Sequence, residues 1–145
     1  MEESKLRVYV TGFGKFGNIE HNPTTVLVEG LSKSAGLKCS LEHLEVAEVS
    51  IQGCENTLQK IGEKIEERSS QDGGSNDKYL ILNLGVAANR KDFCLEHRAK
   101  NIKDFRIPDM AQNQPKNERI DCSKNLDDCL EQGFCDLDSV AEAVS

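Results

Sequence analysis

The chain has no tryptophan, and two tyrosines and five phenylalanines bring aromatics to only 5% of its 145 residues. With apolar residues at 37%, a core must come mostly from aliphatic side chains, thin but richer than a disordered chain. No run approaches the roughly 18 apolar residues of a membrane span, so no membrane partner is expected. There is no basic excess either: 18 Lys and Arg stand against 25 Asp and Glu, for a net charge of −7. Neutralising phosphates needs Lys and Arg gathered on one face, so no nucleic-acid partner is expected. No Cys-x-x-Cys pair occurs among Cys39, Cys54, Cys94, Cys122, Cys129 and Cys135, and His21, His43 and His97 are scattered. No metal and no cofactor are expected from that spacing. The acids of Met1-Glu2-Glu3-Ser4-Lys5 precede only six strand-like residues, which does not read as a secretion signal. The expectation is a soluble cytoplasmic protein with reduced thiols. Asn22-Pro23-Thr24 is the only glycosylation-like triplet, and its central proline excludes it.

Within these limits, 145 residues suit one domain, and no internal boundary or repeat is visible, so 1–145 reads as a single α/β domain. Residues 1–117 are nearly neutral, with 17 acids and 16 bases. Glu118 to Glu142 holds eight acids and two bases, and so carries most of the charge. The plain reading of that acidic part, 118–145, is a solvated loop and a helix start, with Asp136 and Asp138 favourable at the helix N-terminus.

Residues 6–11 alternate as a strand and run into a glycine-rich turn from Gly12 to Gly17. Asn22 reads as a helix cap with Pro23 at the first helical position, and the helix should stop near Gly36. A second strand lies within 37–51, with Leu44 and Val46 pointing one way. Ile51, Cys54, Leu58, Ile61 and Ile65 recur at helical spacing and predict a helix to about Arg68. The near-continuous apolar run 79–84 predicts a strand covered on both faces. Residues 93–101 alternate as a further strand, and 106–121 read as irregular, with Pro108 and Pro115 as breakers. The order predicts an α/β fold, a three-layer α/β/α arrangement with a mostly parallel sheet, incomplete at the C-terminus.

Gly12-Phe13-Gly14-Lys15-Phe16-Gly17 matches the G-x-G-x-x-G pattern of dinucleotide-binding turns. The helix of that motif begins at the third glycine, whereas here it begins at Asn22-Pro23, five residues later. Two other readings remain: a tight turn whose phenylalanines pack into the core, or one whose phenylalanines wall a small apolar pocket.

Thr11-Gly12-Phe13-x-x-Phe16-Gly17 followed by Asn22-Pro23-Thr24 resembles the opening of the pyroglutamyl peptidase I family. Gly85, Glu96, Asn101 and Arg106-Ile107-Pro108-Asp109 are similar to that family's acid-bearing strand and following loop. Lys15 departs from the proline usual there, and His97 from the arginine usual after the acid. The resemblance implies a cytosolic cysteine peptidase that removes N-terminal pyroglutamate with a Cys-His-Glu triad on an α/β/α fold. It implies that Phe13 and Phe16 flank the pyrrolidone ring, and that the backbone at Gly85 and Val86 meets the lactam amide. It further makes Glu96 the triad acid, with Arg106 and Ile107 at the rim. Taken by spacing alone, Glu96 with Arg98 or Arg106 reads as an exposed ion pair worth roughly 0–1 kcal/mol.

The resemblance places the nucleophilic cysteine in an Ala-Gly-x-x-x-Cys-Asn segment beyond Ser145, with the histidine later still. Cys94, Glu96 and His97 form no substitute, because neighbours on a strand point to opposite faces, and Cys94 reads as a small apolar filler. The expectation is a truncated, inactive peptidase homologue whose substrates would be peptides beginning with pyroglutamate. The alternative is a non-catalytic binding or interaction protein, with homo-oligomerisation open through an apolar sheet edge.

Overall fold

The computed structural model describes residues 4–71, 76–87, 89–96 and 98–130. The chain divides into two compact units, Met1–Val86 with Asp109–Asn113, and Ala87–Pro108 with Gln114–Ser145.

The first unit is a parallel sheet of β1 (Leu6–Phe13), β2 (Ser40–Ala47) and β3 (Lys78–Asn83) in the order β2-β1-β3. Two helices connect them, α1 (Pro23–Leu31) and α2 (Ile51–Gln71). Parallel neighbours need crossovers, and right-handed crossovers that step in opposite directions across a sheet put their helices on opposite faces. The side chains follow that rule. Val8 and Val10 of the central strand meet Val28 and Leu31 of α1, with Leu41, Leu44 and Leu80 packed around them. Thr11 is aligned with Glu45, whose carboxylate accepts from Thr57 and Lys60 of α2 at 3.2 and 2.8 Å on the other face. The three layers α1, sheet and α2 are thus present.

The α1 start is as the sequence predicts: Asn22 caps it, its Oδ1 accepting from the Thr24 N–H at 3.0 Å. The helix ends at Leu31, short of the expected Gly36, which instead takes φ +79° in the turn beyond. Gly12 lets α1 lie close on β1, since a Cβ there would stand 2.7 Å from Thr24 O and 2.9 Å from Val28 Cγ2. On α2 the buried positions are Thr57 and Ile61, whereas Leu58 is 51% exposed. Of the predicted stripe Ile61 is buried and Ile51, Cys54 and Ile65 are half-buried, so Leu58 alone departs from it, with Thr57 buried beside it. Thr57 is drawn inward because its hydroxyl answers Glu45.

Two expected strands differ from the structure. β3 is not covered on both faces: it lies at the sheet edge, with Ile81 and Leu82 exposed. The strand expected over 93–101 is reduced to β4 (Ala99–Lys100), which pairs antiparallel with β5 (Cys129–Leu130) in the second unit. Alternation supplies the pattern of a strand, but a strand also needs a neighbour, and among the described residues two find one. Cys94 is consequently exposed, not an apolar filler.

The second unit is held by one side chain above all. Asn101 is fully buried. Its Nδ2 donates to the carbonyls of Asp121, Asn125 and Lys124 at 2.8, 3.1 and 3.3 Å. Its Oδ1 accepts the N–H groups of Asp121 and Ile120 at 2.7 and 3.0 Å. The described part of the acidic stretch is folded around it, and the acids there close turns. Asp121 accepts from the Ser123 N–H and hydroxyl, and Asp128 from the Asn125 N–H. These are the local side-chain-to-backbone bonds that make Asp a turn residue. The helix start expected at Asp136 lies outside the described residues, as does Cys135.

Candidate active site

In an open α/β sheet the usual ligand crevice lies beyond the carboxyl ends of the strands, where the chain order reverses. In the order β2-β1-β3 that point is between β1 and β3. Thr11 and Asn83 are partners in the ladder there, joined by a 2.7 Å side-chain hydrogen bond, and the Leu84 N–H extends the ladder to Thr11 O. Two residues further, Phe13 and Gly85 leave these adjacent strands. The structure thus gathers the loops of Phe13, Phe16, Gly85 and Val86 at one end of the sheet.

Asn22-Pro23-Thr24 explains how the phenylalanine loop is held. Thr24 Oγ1 accepts the Phe13 N–H at 2.8 Å, and Thr25 Oγ1 donates to Phe13 O at 2.8 Å. Asn22 Nδ2 donates to Gly14 O at 3.0 Å, while the Gly14 N–H reaches Ala47 O of β2. Phe16 and Ile19 exchange two backbone hydrogen bonds across a turn in which Gly17 takes φ +52°. Both phenylalanine side chains are half-buried, neither sunk in the core nor free in solvent. The N–H groups of Phe13, Gly14 and Phe16 are committed to these bonds, and α1 begins six residues after Gly17, a different geometry from that of a dinucleotide-binding turn. At Gly85 a Cβ would meet nothing within 4 Å, as at Gly30, Gly36 and Gly62.

Glu96, Arg106 and Ile107 fall in the second unit, and all are exposed. Glu96 is not mounted on a strand as predicted, because among the described residues 93–96 pairs with no other segment as a strand. It nevertheless shares an open depression with Arg98, Lys100 and Ile102, the every-second-residue spacing of an extended chain. Arg106 sits in a loop whose carbonyl accepts from Gln114 Nε2 at 2.8 Å. His97 lies outside the described residues.

Asp109 is a residue that motif reading noticed without a role. It is buried, and Oδ2 accepts the Ile51 N–H at the start of α2 at 3.0 Å. Oδ1 accepts the N–H groups of Asn113 and Ala111 at 2.7 and 2.9 Å. Burial alone would raise its carboxyl, but the donors from Ile51, Asn113 and Ala111 outweigh that and hold it below its ordinary value. An Asp directly after a proline in an irregular segment is the signal that could have marked it as a cap or turn residue.

The described cysteines, Cys39, Cys54, Cys94, Cys122 and Cys129, are all free thiols. Burial, with Asp109 and Glu55 adding to it, pushes the Cys54 thiol up, the opposite of an activated nucleophile. His43 Nε2 stands 2.8 Å from Glu45 Oε2. Among the described residues no three His, Cys, Asp or Glu side chains are placed to hold a metal ion, and no helix is long and apolar enough to cross a membrane.

A doubly wound α/β sheet with an aromatic loop at its switch point defines the class. Comparison with known proteins narrows it: residues 6–126 match the pyroglutamyl peptidase family, and the chain belongs to that family. It is 35% identical over 114 residues to the pyrrolidone-carboxylate peptidase of Fusobacterium nucleatum, covering 79% of this chain and 47% of that protein. To the enzyme of the same name from Treponema denticola it is 30% identical over 115 residues, with 79% and 47% covered. The chain spans about half the length of the curated relatives it matches. The fold is similar to that of a Pyrococcus furiosus pyrrolidone carboxyl peptidase variant, at TM-score 0.74, 22% identity, and 95% and 59% coverage. The Thermus thermophilus enzyme gives 0.56, with 26% identity and 82% and 55% coverage.

Proposed function

We propose that this chain supplies the ring-recognising part of a cytoplasmic cysteine omega-peptidase acting on peptides with N-terminal pyroglutamate, and that alone it binds such peptides without cleaving them. The observation that carries the reading is that the phenylalanine loop after β1 and the Gly85 segment after β3 leave neighbouring strands at the switch point. A pyrrolidone ring has no charge, so apolar walls and a few placed amide bonds suit it, whereas a buried charge would find no partner. Phe13 and Phe16 are the walls in this reading, and the backbone at Gly85 and Val86 meets the lactam amide. The family resemblance gives Arg106 and Ile107 rim roles and Glu96 the role of an acid that orients a histidine, and all three belong to the second unit. Cleavage needs a thiolate and a base held in line with that acid. The family resemblance assigns both to sequence outside this chain.

The test is a titration with pyroglutamyl-alanine followed by amide NMR, with prolyl-alanine, which lacks the ring carbonyl, as the control. Pyroglutamyl-alanine is expected to move the resonances of Phe13, Phe16, Gly85 and Val86, and Phe16→Ala to weaken binding about tenfold. A fluorogenic pyroglutamyl amide is expected to stay intact. Equal binding of prolyl-alanine, or an unchanged Kd in Phe16→Ala, would sink the reading.

A further inference from the structure

The inward face of α2 changes character partway along the helix. Cys54, Thr57 and Ile61 recur at steps of three and four, and Lys64, Arg68 and Gln71 continue the same steps. Thr57 and Ile61 are buried, as befits a helix face turned to a sheet. The three that follow are long and polar, and they do not simply project into solvent. With Glu67 of the same helix, Glu42 of β2 and Tyr9 of β1 they line a cavity of about 190 Å³. All six belong to the first unit.

Tyr9 is 1% exposed on the central strand. It alternates with Val8 and Val10, which meet α1, and so faces α2. Buried tyrosine hydroxyls ordinarily find a partner, yet among the described residues this one makes no hydrogen bond. Burial, with Glu42 and Tyr79 adding to it, pushes the hydroxyl up against the pull of Arg7 and Arg68, so it keeps its proton at neutral pH. The charges around it are unevenly committed. Glu42 Oε1 accepts from Arg7 and from Ser40, both at 2.7 Å, and Glu67 Oε1 accepts from Gln71 Nε2 at 3.4 Å. Lys64 makes no ion pair among the described residues, and Arg68 is half-buried on the same side of the helix. Both acids thus have donors within the chain, while Tyr9, Lys64 and Arg68 bring donors to a common space.

We propose that this cavity is a binding site for a small carboxylate of about amino-acid size, held by Arg68, Lys64 and the Tyr9 hydroxyl. Arginine takes a carboxylate through a planar fork of N–H groups, lysine adds a compact charge, and a hydroxyl serves a remaining lone pair. The volume sets the size, since it lies below the roughly 300–1,000 Å³ of sites for drug-sized ligands. A phosphate would bring more negative charge against Glu42 and Glu67, so a single carboxylate suits the lining better. An occupant would tie the C-terminal half of α2 to the central strand. The site is separate from the phenylalanine loop, because Tyr9 precedes Phe13 by about 13 Å of extended strand. The inference rests on this cavity, not on the ligand reading above.

The experiment titrates the full 145-residue chain with alanine, acetate and alaninamide, followed by amide NMR. Alanine carries the carboxylate without a pyrrolidone ring, acetate carries it without the ammonium, and alaninamide keeps the ammonium and lacks the carboxylate. Alanine and acetate are expected to move the resonances of Tyr9, Lys64 and Arg68 and to leave Phe13 and Phe16 in place, with alaninamide silent. Tyr9→Phe keeps the ring in the core and should weaken binding about tenfold, as should Arg68→Gln. Alanine should raise the melting temperature of the parent and not that of Arg68→Gln. If circular dichroism shows Tyr9→Phe to be unfolded, Lys64→Gln decides, because that side chain is exposed and its loss should weaken binding several-fold. Shifts with alanine but not acetate uphold the site and assign the ammonium to Glu67. The proposal is overturned by no shift with either carboxylate at about 50 mM, by equal shifts with alaninamide, or by an unchanged Kd in Arg68→Gln and Lys64→Gln. Ring binding is read at Phe13 and Phe16, so either reading can fail without the other.

Discussion

Asn101→Ala is expected to destabilise the second unit by about 3–5 kcal/mol, well above the roughly 1 kcal/mol centre of single-substitution effects. The side chain is fully buried and answers five backbone groups between Ile120 and Asn125. Alanine fills little of the space and leaves those groups without partners, so each contributes part of its desolvation cost. Asn101→Asp discriminates this account from simple loss of volume. It keeps an acceptor for the Ile120 and Asp121 N–H groups, but turns a carboxylate oxygen toward the carbonyls that Nδ2 now serves. That repulsion raises the introduced carboxyl in the folded state, so stability should be lowest at neutral pH and recover as acid protonates it. Thermal melts at pH 7 and pH 4 and hydrogen exchange over 120–128 measure the effect. An Asp variant as stable as the parent at pH 7 would overturn the account.

Arg7→Met should cost the first unit about 3–5 kcal/mol, because a guanidinium buried between two acids is removed and both acids stay. Arg7 is 5% exposed, with Nη1 at 2.7 Å from Glu42 on β2 and Nε at 2.6 Å from Asp77 before β3. One side chain of the central strand thus ties both neighbours. Burial would raise the Glu42 carboxyl, but hydrogen bonds from Ser40 and Arg7 outweigh it and hold it below 4.5. The Lys5 N–H, and then Arg7, hold Asp77 below 3.8 against its burial. Depressed acids add stability above their unfolded values and lose it as pH falls through the folded ones. The gap between parent and Arg7→Met in urea midpoint should therefore be full above about pH 5 and shrink steadily toward pH 3. A gap independent of pH would mean that packing, not the charge pair, was lost. Replacing Arg7, Glu42 and Asp77 together with apolar residues should restore much of the stability, since it removes the two described ion pairs as a unit.

Much of the first unit was legible because local rules and tertiary packing agree there. Asn22 and Pro23 announce a helix start, and the apolar periods of β1 and α2 survive folding with small shifts. The motif Thr11-Gly12-Phe13-x-x-Phe16-Gly17 with Asn22-Pro23-Thr24 was legible as a pattern. Its reason was not, because the bonds from Thr24 and Thr25 to Phe13 exist only once α1 lies on β1. The segment 93–101 misled because alternation says nothing about whether a partner strand exists. Asn101 closes that alternating segment and Asp109 sits in irregular sequence, and each is decided by backbone groups far along the chain.

By itself the sequence determined β1, α1, β2, α2 and β3 in their order, the family, and the chemistry at the turn: aromatic and rich in glycine. Those properties reside in near neighbours, and near neighbours are what spacing reports. Only the tertiary structure decided that α1 and α2 take opposite faces, that Phe13 and Gly85 leave adjacent strands, and that an apolar β3 stands at an edge. Each of these depends on which distant segment lies alongside. That choice is made by crossover handedness and by the burial of whole faces, not by any residue alone.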